Sequence, residues 1–581
     1  MNLRARALPP QHQTAKLLPR RVLAGCAFLC LLLVAMSPSC QPPEPPKLAA
    51  QAKMGKGDTP PDKARKRESR QPQGPEFDLP EALRPTGKTR AERNSPIHIS
   101  AEYVERAKTR PNILLIMDDQ HSARALGCAG NPVIRTPRLD QLAAEGAYFP
   151  AAYCNNPVCA PSRYSMFSGR YTPEIGALKN SIPPTEGIKF LAEHLAEDGY
   201  FTGLSGKSHF SPAWSTHGFQ DIYLQNSYTA PSWTHYTPWL VREYLERGFE
   251  GSPHFWKTNR EGTDPLDPAY GICTINPHPA DISPEHWVTQ MALRLMDEAI
   301  VADKPFFVNA SYFAPHHPYG PLQQFYDLYE GVEIPLPSSY SEEAPSMTHH
   351  LTLDQYRVVQ RHYYGFVSQV DHYIGELLDG LEERGLAEDT LVIMVSDHGD
   401  MMGEHNDLGK GVYAEGSVRI PFLLRWPRRV PPQQRIATRV SLIDVFPTVF
   451  DALHLELPSV ARGNSLLPLV DGSGGNSAPN RPVFISNHRR LPYAFISVLD
   501  GHFKLVHKKP AKGSYETLLF NIELDPDETK NLASDAAYGK VLAELEEQLS
   551  VYWESQKDYL PEKMPEPVPR PALQNHPKEK L

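Results

Sequence analysis

Cys159 heads the run Cys159-Ala160-Pro161-Ser162-Arg163-Tyr164-Ser165-Met166-Phe167-Ser168-Gly169-Arg170, whose residue types suit anion binding and nucleophilic chemistry. Proline is tolerated at the first helical position and serine can cap orphan N–H groups there, so a helix is predicted to begin here, with Cys159 just ahead of Pro161 and Ser162. The positive end of that helix, with Arg163 and Arg170 beside it, would favour a sulfate or phosphate and make a thiol unusually acidic. A buried cysteine on an ordinary helix is the plainer alternative.

Four further segments carry ionisable groups directly after apolar, β-rich runs. Asn112-Ile113-Leu114-Leu115-Ile116-Met117 ends in Asp118-Asp119, and Leu391-Val392-Ile393-Met394-Val395-Ser396 ends in Asp397-His398-Gly399-Asp400. Tyr200 to Gly206 leads into Lys207 and His209, and Phe306 to Tyr312 leads into His316 and His317. Runs of this kind alternating with helical patterns predict a mostly parallel sheet flanked by helices, which binds ligands at the carboxyl ends of its strands. The four segments should therefore meet at one rim.

An isolated Asp-Asp pair is more often a turn or a helix cap. With Asp397 and His398 at the same rim, however, the carboxylates would repel or take up protons without a cation, and oxygen-rich ligation selects calcium or magnesium. Lys207, His209 and Lys410, the last in Gly409-Lys410-Gly411-Val412-Tyr413-Ala414-Glu415, read singly as solvated surface groups.

The Cys159 run resembles the signature of the sulfatase family: Cys-x-Pro-Ser-Arg, then Ser/Thr five residues after the arginine, then Gly-Arg, with Ser168 in the Ser/Thr slot. The resemblance continues through Gly403-Glu404-His405, Arg419-Ile420-Pro421, Asp444-Val445-Phe446-Pro447-Thr448 and Leu519 to Glu528, and covers about Arg110 to Leu532. It implies the formylglycine-dependent sulfatases of the alkaline phosphatase superfamily. The fold implied is α/β, a large mixed and mostly parallel sheet flanked by helices, with a smaller α+β carboxyl-terminal subdomain.

For the site, the resemblance implies one divalent cation, calcium or alternatively magnesium, held by Asp118, Asp119, Asp397, His398 and the modified Cys159. His398 stands where asparagine is commoner. Cys159 would be oxidised by a formylglycine-generating enzyme, and the hydrated aldehyde would attack sulfur. The cation, Arg163, Lys207 and Lys410 would neutralise the ester oxygens, and His316, or His317 given the ambiguous register of adjacent histidines, would protonate the departing alcohol. When His209 takes the proton of the second hydroxyl, the aldehyde re-forms and expels sulfate, an exit that a serine sulfate ester lacks.

The basic start (Arg4, Arg6, Lys16, Arg20, Arg21) and an apolar run from Val22 to Met36, about fifteen residues and too short to span a bilayer comfortably, read as an export signal over residues 1–40. Cys40 raises lipid attachment, against which Ser37-Pro38-Ser39 fits poorly; Arg20-Arg21 reads as the basic end of an ordinary signal. The expected location is outside the cytoplasm: periplasmic, extracellular or anchored through a Cys40 lipid to a bacterial membrane. Residues 41–108, rich in Pro, Lys, Arg, Gln and Glu without apolar period, read as a disordered linker. A catalytic domain is expected over 109–478, the smaller subdomain over 479–560 with strands at Phe484–Ser486 and Phe503–Val506 and a helix from about Ala537 to Trp553, and a flexible tail over 561–581.

Of seven cysteines, Cys26 and Cys30 fall in the signal, and setting aside Cys40 and Cys159 leaves Cys128, Cys154 and Cys273, which allows one bridge at most. A net charge of −9 argues against a general nucleic-acid binder. The substrate expected is a sulfated small molecule or saccharide. Trp214, Trp233, Trp239 and Trp256 lie in one segment, with Trp233 and Trp239 as candidate wall residues that stack on a sugar ring; a structural cluster beneath a loop is the equal alternative. An aromatic cage for choline, an aryl sulfate, and a phosphonate or phosphate ester remain competing substrates, and a non-catalytic glycan-binding role would require missing site residues, all of which are present.

Overall fold

Every residue of Asn112–Asp118 is buried, and its side chains alternate between two cores: Leu114 and Ile116 join one, Ile113, Leu115 and Met117 the other. A period of two with both faces apolar is what a central strand covered by helices on both sides requires. The structure, a computed structural model, describes residues 99–213, 215–226, 234–249, 272–343, 351–473, 481–488, 494–509 and 514–560. The export signal, Cys40, residues 41–98 of the expected linker, Trp214, Trp233, Trp256 and the tail lie outside the described residues.

The strands in chain order are β1 (Asn112–Asp118), β2 (Ala147–Tyr148), β3 (Ala152–Tyr153), β4 (Phe201–Gly206), β5 (Asp221–Leu224), β6 (Phe306–Ser311), β7 (Thr390–Ser396), β8 (Phe422–Arg425), β9 (Gln434–Arg435) and β10 (Val440–Ser441). Then come β11 (Val483–Asn487), β12 (Phe495–Asp500), β13 (Phe503–Lys508) and β14 (Glu516–Asn521). Among the described residues, β5-β4-β6-β1-β7-β8-β2-β9 form an eight-stranded sheet, β3 pairs with β10, and β11 to β14 form a separate four-stranded sheet. Pairing is parallel from β5 through β7 and antiparallel on both sides of β8. The large mixed, mostly parallel sheet with a small second sheet is the architecture anticipated.

Register decides what this sheet can present. Met117 of β1 and Gly206 of β4 both pair with Ser311 of β6, and Asp118 pairs with Ser396 of β7. Four strands thus end level, and Asp119, Lys207, Tyr312 and Asp397 leave the sheet in one row. Gly206 is required at its place: φ is +98°, and a Cβ there would stand 1.9 Å from the Ser311 carbonyl oxygen.

One face is covered by the helices Pro137–Glu145, Pro284–Val301 and Leu353–Glu383, the last opened by a capping box between Thr352 and Gln355. The opposite face carries the helices Cys159–Ser168, Leu191–Glu197 and Val445–Ala452. The end of the expected linker is instead folded. Ala101–Ala107 is a helix capped by Ser100, and its buried Tyr103 donates a hydrogen bond to Asn112 Oδ1 at 3.0 Å, because these residues carry the cap and apolar side that the preceding stretch lacks. Cys128, Cys154 and Cys273 are free thiols. No helix among the described residues is long and apolar enough to cross a membrane.

The small sheet is a double-sided layer as well. Val498, Leu505 and Leu519 pack on Leu545 and Leu549 of the helix Gly539–Gln556, while Phe495, Leu499, Val506 and Phe520 join the core beneath the large sheet. Through that inner face β13 inserts a charge: Lys504 is fully buried, with Nζ 3.0 Å from Glu415 Oε1 and 2.8 Å from Glu528 Oε1. Glu415 also accepts from Tyr153 OH at 3.1 Å, and Glu528 Oε2 accepts the Glu415 N–H at 2.7 Å. Removing one partner from such a buried set leaves uncompensated charge. Lys504→Met should therefore lower unfolding stability by about 3–5 kcal/mol in urea titration, and adding Glu528→Gln should recover part of the loss.

Candidate active site

Cys159 opens its helix: Val158 is the extended N-cap residue and offers no side-chain cap, Cys159 is the first helical residue, and Asn180 Oδ1 accepts the Ala160 N–H at 3.0 Å. Ser162, expected as a cap, instead donates its hydroxyl to the Asp397 carbonyl at 2.5 Å. Arg170 follows the C-cap Gly169 at the far end of a ten-residue helix, about 15 Å along the axis, too distant to join an anion site at Cys159. The Ala160 N–H is taken by Asn180, Pro161 has none and the Ser162 N–H bonds the Val158 carbonyl, so the helix end acts on Cys159 chiefly through its dipole.

Around the thiol the rim residues converge. Cys159 Sγ lies 2.9 Å from Lys410 Nζ, 3.1 Å from His398 Nε2 and 3.7 Å from Asp119 Oδ1. Asp119 pairs with Lys207 through Oδ2 and stands 3.6 Å from Lys410 Nζ and 4.0 Å from His316 Nε2. Ligand atoms of Asp119, Cys159, Asp397 and His398, all buried, lie within 4.8 Å of one another.

Asp118 is not among those four; its Oδ2 meets His121 Nδ1 at 2.5 Å, and its Oδ1 is buried without a hydrogen-bond partner. The two carboxylates suit a hard cation, and the unpartnered Asp118 oxygen adds a third carboxylate next in sequence to Asp119. His398 Nδ1 faces the Gly399 carbonyl at 3.0 Å, which fixes the ring's orientation and turns Nε2 to the centre.

Arg163 stands behind the carboxylates. Its Nε donates to Asp397 Oδ2 at 2.8 Å, Nη1 donates to the Lys207 carbonyl and to Ser311 Oγ at 2.8 Å each, and Nη2 lies 3.5 Å from Asp119 Oδ2. With Nε and Nη1 engaged, it orients the acids and the β4 turn, while Nη2 is buried without a hydrogen bond. Lys207 also lies 4.6 Å from the Phe313 ring centroid.

Burial and the nearby Asp119 push Asp397 up, with His398 and Arg163 opposing. Burial and Cys159 would raise Asp119, but the Lys207 and Lys410 charges lead the opposing effects and hold its carboxyl well below the usual range. Against burial, Lys207, Lys410 and His398 hold the Cys159 thiol well below its ordinary value. Burial and Lys207 lower His209, and burial and Lys410 bring His316 down to about 4, so both imidazoles rest neutral beside the sulfur.

Of the two adjacent histidines, His316 faces Asp119, its Nδ1 being bonded to the His317 carbonyl; His317 stacks on it at 4.3 Å and its Nδ1 is 3.1 Å from Gln120 Nε2. His209 is held in the left-handed region at φ 55°, one step of the turn that brings Lys207 and His209 to the same side. Trp239 is half-buried and packs its ring on Tyr236 and Trp287, at 5.8 and 6.3 Å, against the core of the large sheet. That is the packing of a structural cluster, because the helix Tyr236–Arg247 lays its apolar side on Pro284–Val301.

Two supporting residues escaped sequence reasoning. Asp400 accepts from Gln120 Nε2 and Tyr319 OH at 2.6 Å each and from the Met402 and Gly409 N–H groups at 2.9 Å each, pinning both ends of the loop that leads to Lys410. Its place three residues after Asp397 was visible, but its partners lie far away in the chain. His121, at Asp118, likewise comes soon after the acid pair without marking itself.

A family model described as Sulfatase matches residues 111–455, and one described as N-sulphoglucosamine sulphohydrolase, C-terminal, matches residues 403–555. The choline-sulfatase of Rhizobium meliloti is 30% identical over 449 residues, which cover 73% of this chain and 83% of that protein. The N-acetylglucosamine-6-O-sulfatase of Bacteroides thetaiotaomicron is 24% identical over 524 residues, 78% of this chain and 87% of that protein. The fold is similar to that of the phosphonate monoester hydrolase of Agrobacterium radiobacter, with a TM-score of 0.66 at 22% identity over 77% of this chain and 96% of that one.

Cation binding here should be measurable without turnover. Calcium at a hundredfold excess over its Kd should stabilise the chelator-stripped protein by about 2.7 kcal/mol, read as a rise in Tm. Asp397→Asn should abolish most of that rise; an undiminished rise in the variant would place the ion elsewhere.

Proposed function

The chain belongs to the sulfatase family of hydrolytic enzymes, and on that premise we propose that it cleaves the sulfate ester of a sulfated saccharide, with Cys159 matured to formylglycine and one divalent cation, calcium first, at Asp118, Asp119, Asp397 and His398. The observation that carries this reading is the enclosure of Cys159 Sγ at a helix N-terminus by Lys410, His398 and Asp119, with His209 and His316 beside it. When bound, the cation supplies neutralising charge, and the hydrated aldehyde supplies a nucleophilic hydroxyl.

The chain's own residues do the rest. Lys410, with Nζ at the sulfur and near Asp119, is placed to hold a sulfate oxygen, and Lys207, buried against Asp119, keeps the carboxylate turned inward. His316 Nδ1 is committed to a carbonyl, which leaves Nε2 to face the ester. An arriving anion favours the imidazolium, so Nε2 would carry a proton when the ester is bound and can pass it to the leaving oxygen. His209, neutral and beside position 159, can accept the proton that releases the product.

The saccharide reading rests on the relatives that match over most of this chain and on the match of the carboxyl-terminal region to an N-sulphoglucosamine sulphohydrolase model. Export agrees with a polymeric substrate outside the cell, and the basic, then apolar start of the chain supports it.

The test combines mass spectrometry of the peptide bearing residue 159, expected to show the aldehyde, with kinetics. Cys159→Ala should lower kcat roughly 10⁴-fold or more with Tm unchanged, and Cys159→Ser should leave at most weak activity. A fully active serine variant, or faster turnover of phosphate or phosphonate esters than of sulfate esters, would overturn the assignment. Choline sulfate turnover without saccharide turnover would overturn the substrate class alone.

A further inference from the structure

Between the small sheet and the helix Gly539–Gln556 lies a cavity of about 520 Å³, outside the charged centre. Its walls include Trp553 and Tyr515, the imidazoles of His488 and His507, and Lys509. The rings of His488 and Trp553 stand 6.5 Å apart at 35°, and Lys509 Nζ sits 4.5 Å from the Tyr515 ring centroid. His507 is engaged by Glu546 at 2.9 Å. His488 differs from it: its Nε2 is buried with no hydrogen-bond partner, and burial brings its pKa down to about 4.

We propose that this cavity is a second saccharide site, which takes a sugar unit of the substrate away from the ester that is cut; it rests on the saccharide reading above. Its size lies within the range of small-molecule pockets, and its composition, aromatic walls with a few convergent polar groups, is what orients a ring. A planar indole suits the C–H face of a pyranose, and the ring hydroxyls would satisfy the neutral His488 nitrogen, which otherwise forgoes a hydrogen bond at a cost. Lys509 supplies the charge for a sulfate or carboxylate group on that unit, while Glu546 is already occupied by His507. An aliphatic ligand would leave these polar groups unanswered.

The cavity is also tied to the active site. His488 is next to Asn487, whose Nδ2 donates to the Gly411 carbonyl at 2.7 Å, and Gly411 adjoins Lys410. Asn487 and His488 face opposite sides of the small sheet, so a saccharide chain seated at Lys410 would reach this opening by passing the end of β11.

The test uses the full-length enzyme with Trp553→Ala, Lys509→Ala and Tyr515→Ala, the last at a side chain too exposed for its loss to disturb the core. For heparin, chondroitin sulfate or κ-carrageenan tetrasaccharides that the wild type hydrolyses, KM should rise about tenfold in Trp553→Ala, as expected for one stacking contact. kcat should stay unchanged, as should turnover of a small aryl sulfate. An unchanged KM in all three variants overturns the cavity site while leaving the saccharide reading intact. If the wild type cleaves aryl sulfate but no saccharide, that reading has failed, and calorimetric titration with the same tetrasaccharides decides the cavity: binding lost in Trp553→Ala supports it, and no binding, or equal binding in the variants, overturns it.

Discussion

Acids delivered by neighbouring strands have to be reconciled with each other, and most of the site can be understood as the answer. β1 and β7 are parallel neighbours, about 4.8 Å apart, that end level, so Asp119 and Asp397 emerge side by side in a place without solvent. Carboxylates this close cannot both remain charged unless cations are supplied. Arg163 bridges them from behind, Lys207 and Lys410 flank Asp119, and His398 closes the remaining side. The same cations that make the acids tolerable hold the Cys159 thiol well below its ordinary pKa, so one charge balance serves both the fold and the chemistry.

Lys410 is the member of this set with the least local support. It sits on a loop, and its place depends on Asp400 gripping the loop's approach, on Asn487 holding the Gly411 carbonyl, and on Lys504 anchoring Glu415 five residues later. Two of those three supports come from the small sheet. The carboxyl-terminal sheet is therefore part of the active-site scaffold, and its burial of a lysine with two glutamates is tolerable because each charge keeps a partner.

The histidines divide by what their second nitrogen does. His398 and His316 each give Nδ1 to a backbone carbonyl and keep Nε2 for the centre, while His121 is consumed by Asp118 and the Ala125 carbonyl. Identical side chains take different tasks because a carbonyl in reach fixes the ring's orientation.

The sequence by itself determined the strands and the ionisable residues at their ends: buried runs with period-two faces are local patterns, and Asp118, Asp119, Lys207, Asp397 and His398 are covalently tied to strand ends. The Cys159 signature is likewise contiguous, so the family and the gathering of these residues at one rim were legible. Tertiary structure alone decided orientation. That Arg163 turns to the acids, that Ser162 bonds the Asp397 carbonyl, that Arg170 is a helix length away, and that His316 rather than His317 faces Asp119 depend on partners from other segments. The helix at Ala101–Ala107 escaped notice because a short cap and two buried side chains stabilise it only against the folded sheet. Trp239 looked like a substrate wall in a run of aromatic residues, and only packing on Trp287, which lies far along the chain, gave its ring a core-facing side.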